Sequence, residues 1–173
     1  MQELNVLFQK LPRTLRNLSA STGKKVEMHV TGESVELDRL LIEGLSESFI
    51  HIVRNAVDHG IESPSERKKA GKDETGRIDI NARLQGGNVI ISIKDDGAGL
   101  NFERIKKKAL EHGLATAGQI DVYTESELRE LIFAPGFSTA EQITSTSGRG
   151  VGMDVVRTAI KKMGGSVDIE SGS

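Results

Sequence analysis

One stretch limits the possible folds more than any other. Ile78, Ile80, Ala82 and Leu84 alternate with polar residues, Gly86-Gly87-Asn88 turns the chain, and Val89–Ile93 follows. A period of two on both sides of a glycine turn predicts a β-hairpin. An apolar face of this kind requires cover from elsewhere in the chain.

Amphipathic helices are available to cover it. Leu4, Leu7, Phe8, Leu11, Leu15 and Leu18 recur at three- and four-residue spacing, which predicts a helix over 4–18 with Pro12 as its kink or start. Val26, Met28 and Val30 alternate with Glu27 and His29 as a short strand. Asp38 caps a long helix expected to run to about His59, with Gly60 in the position after its end. Residues 61–76 are charged, contain Pro64 and read as a loop with room for one helical turn. Asn101 starts a helix to about His112, closed by Gly113. Residues 114–150 are irregular except for a short helix opened by Thr124 and Glu127, a capping box. So weakly patterned a tract is usually functional, most often a lid. A helix over Val151–Met163, closed by Gly164-Gly165, leads to a final strand at Val167–Ile169.

Composition excludes several classes of function. The 173 residues hold no cysteine, which removes disulfides, thiolate metal sites and cysteine nucleophiles. A net charge of -2 argues against a general nucleic-acid binder. No apolar run approaches the ~20 residues that span a bilayer, and no leader pattern is present, so the expectation is a cytoplasmic protein without membrane insertion. Nineteen glycines beside five Phe, one Tyr and no Trp point to backbone working close to a ligand.

Three motifs carry chemistry. Along the long helix, Phe49, Ile52, Val53, Ala56 and Val57 form the apolar stripe, while His51, Asn55, Asp58 and His59 fall on one polar edge. Short ligand-type side chains of this kind hold metals and phosphates, although an ordinary polar face reads the same way. Lys94-Asp95-Asp96-Gly97-Ala98-Gly99 ends the hairpin. It is either a plain Asp-Gly turn or a carboxylate aimed at the N6 amino group of adenine, with glycines allowing the ring to approach. Ser147-Gly148-Arg149-Gly150-Val151-Gly152-Met153 runs into a helix, so its N–H groups make a phosphate nest; the alternative is a glycine hinge. Its spacing fits neither the dinucleotide fingerprint nor a Walker A loop. Between the last two lies Phe133-Ala134-Pro135-Gly136-Phe137, a lid packing motif or a small satellite cluster.

In this order the motifs resemble the ATP-binding domain shared by histidine kinases, DNA gyrase, Hsp90 and MutL. The runs His51–Glu62, Pro135–Thr139 and Ser147–Val156 are similar, more closely still, to the catalytic domain of the CheA family of chemotaxis histidine kinases. The resemblance covers roughly residues 5–171. It implies an α+β fold, a two-layer α/β sandwich of the Bergerat type: a mixed, mostly antiparallel sheet, helices on one face and a mobile ATP lid at about 114–150. Residues 1–20 would connect to a dimerisation domain, 21–173 would form the catalytic domain, and the last strand and a regulatory domain would lie beyond Ser173.

The same resemblance implies roles. Asn55 would hold Mg²⁺, with Asp58 and His59 close to the bound nucleotide and His51 and His59 facing the γ-phosphate. Asp95 would read adenine, with Gly97 and Gly99 beneath the ring. Ser147, Gly148, Arg149, Gly150, Val151, Gly152 and Met153 would cradle the triphosphate, and Arg104 and Lys108 would reach the phosphates if they are more than a solvated pair. Relatives that hydrolyse ATP carry Glu four residues before the Mg²⁺ asparagine; here that residue is His51. Transfer of the γ-phosphoryl group to a side chain therefore fits better than water attack, with His51 orienting or deprotonating the acceptor, or else simply hydrogen-bonding Glu47 or Glu43. None of the four histidines sits in an acceptor context, so the acceptor is expected on a separate phosphotransfer domain. The implied partners of the full-length kinase are a second copy, chemoreceptors and a coupling protein. The rival readings are an ATP hydrolase of the same fold and a non-catalytic nucleotide sensor.

Overall fold

The computed structural model describes residues 1–137 and 152–171. The chain divides into two compact units, Met1–Gly99 and Leu100–Ser173.

The first unit opens with β1 (Gln2–Glu3), α1 (Asn5–Phe8) and α2 (Leu11–Thr22). The single helix expected over 4–18 is thus two. Pro12 stands in the first turn of α2, where its missing N–H has no intrahelical acceptor to lose. Then come β2 (Lys25–Thr31), β3 (Glu36–Leu37), α3 (Arg39–Asn55), α4 (Pro64–Lys69), β4 (Thr75–Gln85) and β5 (Asn88–Asp95). Strands β2, β4 and β5 form one mixed sheet, with β2 parallel to β4 and β4 antiparallel to β5; β1 and β3 pair antiparallel. The hairpin is as expected. Gln85 pairs with Asn88, so Gly86 and Gly87 alone make the turn, with φ of 58° and 82°. Left-handed values at both central positions match the right-handed twist of the strands.

One face of the sheet is covered. Gly76, Ile78, Ile80 and Ala82 of β4 are buried, whereas Arg77 and Arg83 on the other face are exposed. Helix α2 packs on both α3 and β2, and Leu4, Leu7, Leu11, Phe49, Val53 and Val57 fill the core. Asp38 caps α3 as expected, its carboxylate accepting from Leu40 N–H at 2.8 Å.

The second unit holds α5 (Phe102–Glu111), α6 (Ala117–Ile120), α7 (Glu125–Leu131) and α8 (Met153–Lys162). Ile105, Leu128 and Phe137 form its small core, flanked by Leu100, Tyr123 and Leu131. Capping boxes open both α6 (Thr116 with Gln119) and α7 (Thr124 with Glu127).

Four further expectations are corrected. Residues 61–76 contain α4, opened by Ser63 and Glu66 as a capping box with Pro64 in first position. The tract after 114 contains a second helix, α6. Helix α8 starts at Met153 rather than Val151. No strand forms at Val167–Ile169: the Ile169 N–H turns to the Asp168 carboxylate at 2.9 Å, a local bond in place of a ladder. Among the described residues no helix is long and apolar enough to cross a membrane.

Candidate functional site

Helix α3 does not continue to His59. It ends at Asn55, and Ala56–Gly60 form one π-helical turn, closed by Ile61 N–H donating to Ala56 C=O at 2.7 Å. Such turns concentrate at functional sites because they turn side chains out of register with the preceding helix. The Lys24 ammonium holds this one, donating to the carbonyls of Val57 and Asp58. The apolar stripe survives, since Val53, Ala56 and Val57 are buried. On the polar edge the first pair is in contact. Asn55 Nδ2 lies 3.1 Å from His51 Nε2. An amide nitrogen can only donate, so in this contact Nε2 accepts, and the Asn55 amide oxygen is the atom of that side chain that could hold a cation. Asp58 is half-buried and His59 exposed.

Gly60 has no left-handed conformation and is not a helix terminator of the expected kind. Its glycine character answers a close approach: a Cβ there would stand 2.9 Å from Asp95 Oδ1 and 3.2 Å from Oδ2. The π turn thus runs directly from Asn55 to the backbone against which the Asp95 carboxylate lies. Gly97 is packed tighter still, since a Cβ on it would overlap the Gly60 carbonyl. Ala98 N–H donates to that carbonyl at 2.9 Å, and Gly97 N–H donates to Asp95 Oδ1 at 3.0 Å. Gly99 ends the turn with φ 74°.

The adjacent carboxyls of Asp95 and Asp96 are driven in opposite directions. Burial pushes Asp95 above the ordinary carboxylate range, the negative charges of Asp96 and Glu62 add to it, and the Gly97 N–H opposes. Burial acts on Asp96 in the same sense, but the Arg77 N–H, the Arg67 guanidinium and the Lys72 ammonium outweigh it and hold Asp96 below its usual value. Asp96 is therefore a structural anion, whereas ionisation of Asp95 is disfavoured by its surroundings.

Arg67 was not among the expected site residues. It is 1 % exposed and carried on α4, with Nη2 2.8 Å from Asp96 Oδ2 and Nη1 3.1 Å from Oδ1. Nη1 also reaches Glu62 at 3.0 Å, and Nε donates to Asp73 C=O at 2.7 Å. Lys72 donates to Glu62 at 2.7 Å and to the carbonyls of Asp96 and Gly97 at 3.0 and 2.8 Å. Nothing local marks Arg67 among the charges of 61–76. The one legible signal was Ser63-Pro64-Ser65-Glu66, a helix start that gives the segment a fixed shape.

In the second unit Arg104 is exposed on α5, while Lys108 lies over the Phe137 ring, 5.6 Å from its centroid. Phe133 is buried beneath the Arg157 guanidinium, 4.2 Å from the ring centroid, and Arg157 pairs with Glu130 at 2.7 Å. Gly152 caps α8 and Met153 is buried in its first turn. A polar cleft of about 310 Å³, bordered by Arg129, Glu130, Phe133 and Asp168, contains none of the residues expected to bind nucleotide. Ser147, Gly148, Arg149, Gly150 and Val151 lie outside the described residues. Among the described residues no cluster of three or more His, Asp or Glu side chains is arranged to hold a metal.

Residues 44–173 match the family described as histidine kinase-, DNA gyrase B- and HSP90-like ATPases. The chain is 50% identical over 171 residues to "Chemotaxis protein CheA" of Salmonella typhimurium, covering 99% of this chain and 25% of that protein. Identity to "Chemotaxis protein CheA" of Bacillus subtilis is 43% (99% of this chain, 25% of that protein), and to "Sensor histidine kinase CheAY" of Helicobacter pylori 44% (99% and 21%). The chain thus spans about a quarter of the length of these curated relatives.

Proposed function

Because the chain belongs to the family of histidine kinase-, DNA gyrase B- and HSP90-like ATPases, we propose that it is the ATP-binding catalytic domain of a cytoplasmic chemotaxis histidine kinase. In this reading it phosphorylates a histidine on a separate phosphotransfer domain, within a dimeric kinase coupled to chemoreceptors. The observation that carries the reading is the Asp95 carboxylate. It is half-buried and backed by glycine, and its Oδ1 is committed to the Gly97 N–H, which leaves Oδ2 to accept from the adenine N6 amino group.

Asn55 fits a hard cation. Its amide nitrogen is committed to His51, and its oxygen is the ligand type Mg²⁺ takes, with phosphates and water supplying the rest. Bound there, Mg²⁺ would neutralise phosphate charge. Gly97 and Gly99 would floor the adenine pocket. Asp58, His59, Arg104, Lys108 and the segment Ser147–Met153 complete the proposed contacts with the nucleotide. In transfer, a nitrogen of the acceptor imidazole forms a bond to the γ-phosphorus as the bond to the β,γ-bridging oxygen breaks. ADP leaves with that electron pair, and the imidazole releases the proton of its other nitrogen to solvent water. His51 Nε2 accepts from Asn55, which supports an orienting role over that of a base for water. His29 pairs with Glu27 and His112 with the Gly136 carbonyl, which supports an acceptor outside the chain.

The test is phosphoryl transfer from γ-labelled ATP to a separately supplied phosphotransfer domain. We expect label on that domain, none on this chain alone, and Mg²⁺-dependent thermal stabilisation by ATP that Asn55→Asp abolishes. Stoichiometric self-labelling, or steady phosphate release at the same rate without acceptor, would overturn the proposal.

A further inference from the structure

We propose that Arg67 and Lys72 are positioning residues that hold the Asp95–Gly99 turn in its adenine-reading shape, and so set the preference for adenine over guanine nucleotides. The inference rests on the ATP reading of Asp95 given above.

Its physical basis is the peptide unit. In a trans peptide the C=O and N–H point in opposite directions, and the chain has no cis bonds among the described residues. The Asp96 carbonyl is drawn to Lys72 Nζ at 3.0 Å and to Arg67 Nη1 at 3.3 Å. The N–H of the same peptide, that of Gly97, is thereby aimed the other way, at Asp95 Oδ1. The Gly97 carbonyl is drawn to Lys72 at 2.8 Å, which aims the Ala98 N–H at the Gly60 carbonyl. Two cationic side chains on one side of the turn therefore orient two N–H groups on the other. One of these fixes the Asp95 carboxylate, and the other fixes the glycine backbone against which it lies.

The Arg67 fork on the Asp96 carboxylate stops the turn from rotating as a whole, since Asp96 also exchanges hydrogen bonds with Arg77: Asp96 N–H to Arg77 C=O at 3.1 Å and Arg77 N–H to Asp96 Oδ1 at 2.8 Å. A buried Arg paired with carboxylates adds little stability over an apolar replacement of equal volume; what it supplies here is direction. Direction is what base discrimination needs. Oδ2 faces an amino donor in adenine and a carbonyl oxygen in guanine, so a carboxylate free to rotate loses the distinction.

The experiment uses the whole chain with Arg67→Lys, which keeps the charge but loses the fork, and Lys72→Met, a partly exposed site that is safer for folding. Without nucleotide, amide hydrogen exchange at Gly97 and Ala98 is expected to speed up about tenfold in each variant. With nucleotide, the ratio of ATP to GTP affinity is expected to fall about tenfold, because phosphate contacts cancel in the ratio. Unchanged exchange at both amides in a variant that melts like wild type overturns the inference. So does an equal loss of ATP and GTP affinity, the signature of a merely structural role. If the wild-type chain binds neither nucleotide, the ATP reading itself fails, and the exchange measurement alone judges the clamp.

Discussion

Replacing Gly97 with Ala adds one methyl group where the backbone of Gly60 leaves no room for it. The residue has no left-handed φ, so backbone conformation does not forbid a side chain. Space does. The new Cβ would overlap the carbonyl of Gly60 and stand 2.7 Å from Asp95 Oδ1. Both neighbours have to retreat, which breaks the Ala98–Gly60 bond and the Gly97–Asp95 bond. A neutral backbone bond contributes about 1 kcal/mol and a charge-assisted one about 1.5–3 kcal/mol. Overpacking costs a further ~1–3 kcal/mol. Because these losses overlap, the net destabilisation should be about 3–5 kcal/mol, or a fall in melting temperature of roughly 10 °C for a chain of this size. The assay is a thermal melt followed by circular dichroism, with ATP titration in a calorimeter on the same samples. Gly118→Ala is the control. That residue lies within α6 with nothing within 4 Å of its added Cβ, so it should melt no lower than wild type. A Gly97→Ala protein that melts within about a degree of wild type and binds ATP unchanged would refute both the packing and the adenine assignment.

Other substitutions separate stability from binding. The Asp95 carboxyl is raised in the fold, so its ionisation costs stability as pH climbs from the unfolded value through the folded one, and the cost persists above it. Asp95→Asn should therefore raise the urea midpoint of the ligand-free protein at pH 7 but not in strong acid. It should also weaken ATP about 10–100-fold, because its amide oxygen stays with Gly97 and its NH₂ meets the adenine amino group. A lowered midpoint at pH 7, or intact affinity, refutes this. Asp96 is depressed, and its contribution is present above the unfolded value and lost as pH falls through the folded one. Asp96→Asn should accordingly lower the midpoint at pH 7 and converge with wild type in acid. Asp38→Ala removes the α3 cap and should cost about 1 kcal/mol in urea denaturation, with ATP affinity of the remaining folded protein unchanged.

What could be read from residues alone was whatever neighbouring residues decide among themselves. The hairpin at Gly86-Gly87, the Asp38 and Asn101 caps and the Thr124 box each involve groups within a few positions, and each forms as expected. Asp95 and Gly97 were picked out on the same terms, as a strand end running into glycines. Gly60 was misread because its constraint comes from Asp95, far along the chain. Arg67 was passed over because its burial depends on Asp96, which arrives from just beyond the end of β5. The expected strand at Val167–Ile169 had the right alternation, but a strand also needs a neighbour to pair with, and no local pattern supplies one.

The π turn sets a rule about length. One extra residue in a helix rotates everything after it by about 100°. Deleting any single position between Ala56 and Gly60 would restore a regular helix and swing the Gly60 carbonyl away from the Ala98 N–H that now meets it. Substitutions here are graded by chemistry, but insertions and deletions are not. The spacing between Asn55 and Gly60 is thus fixed by the same close contacts of the Gly60 backbone that require glycine at position 60.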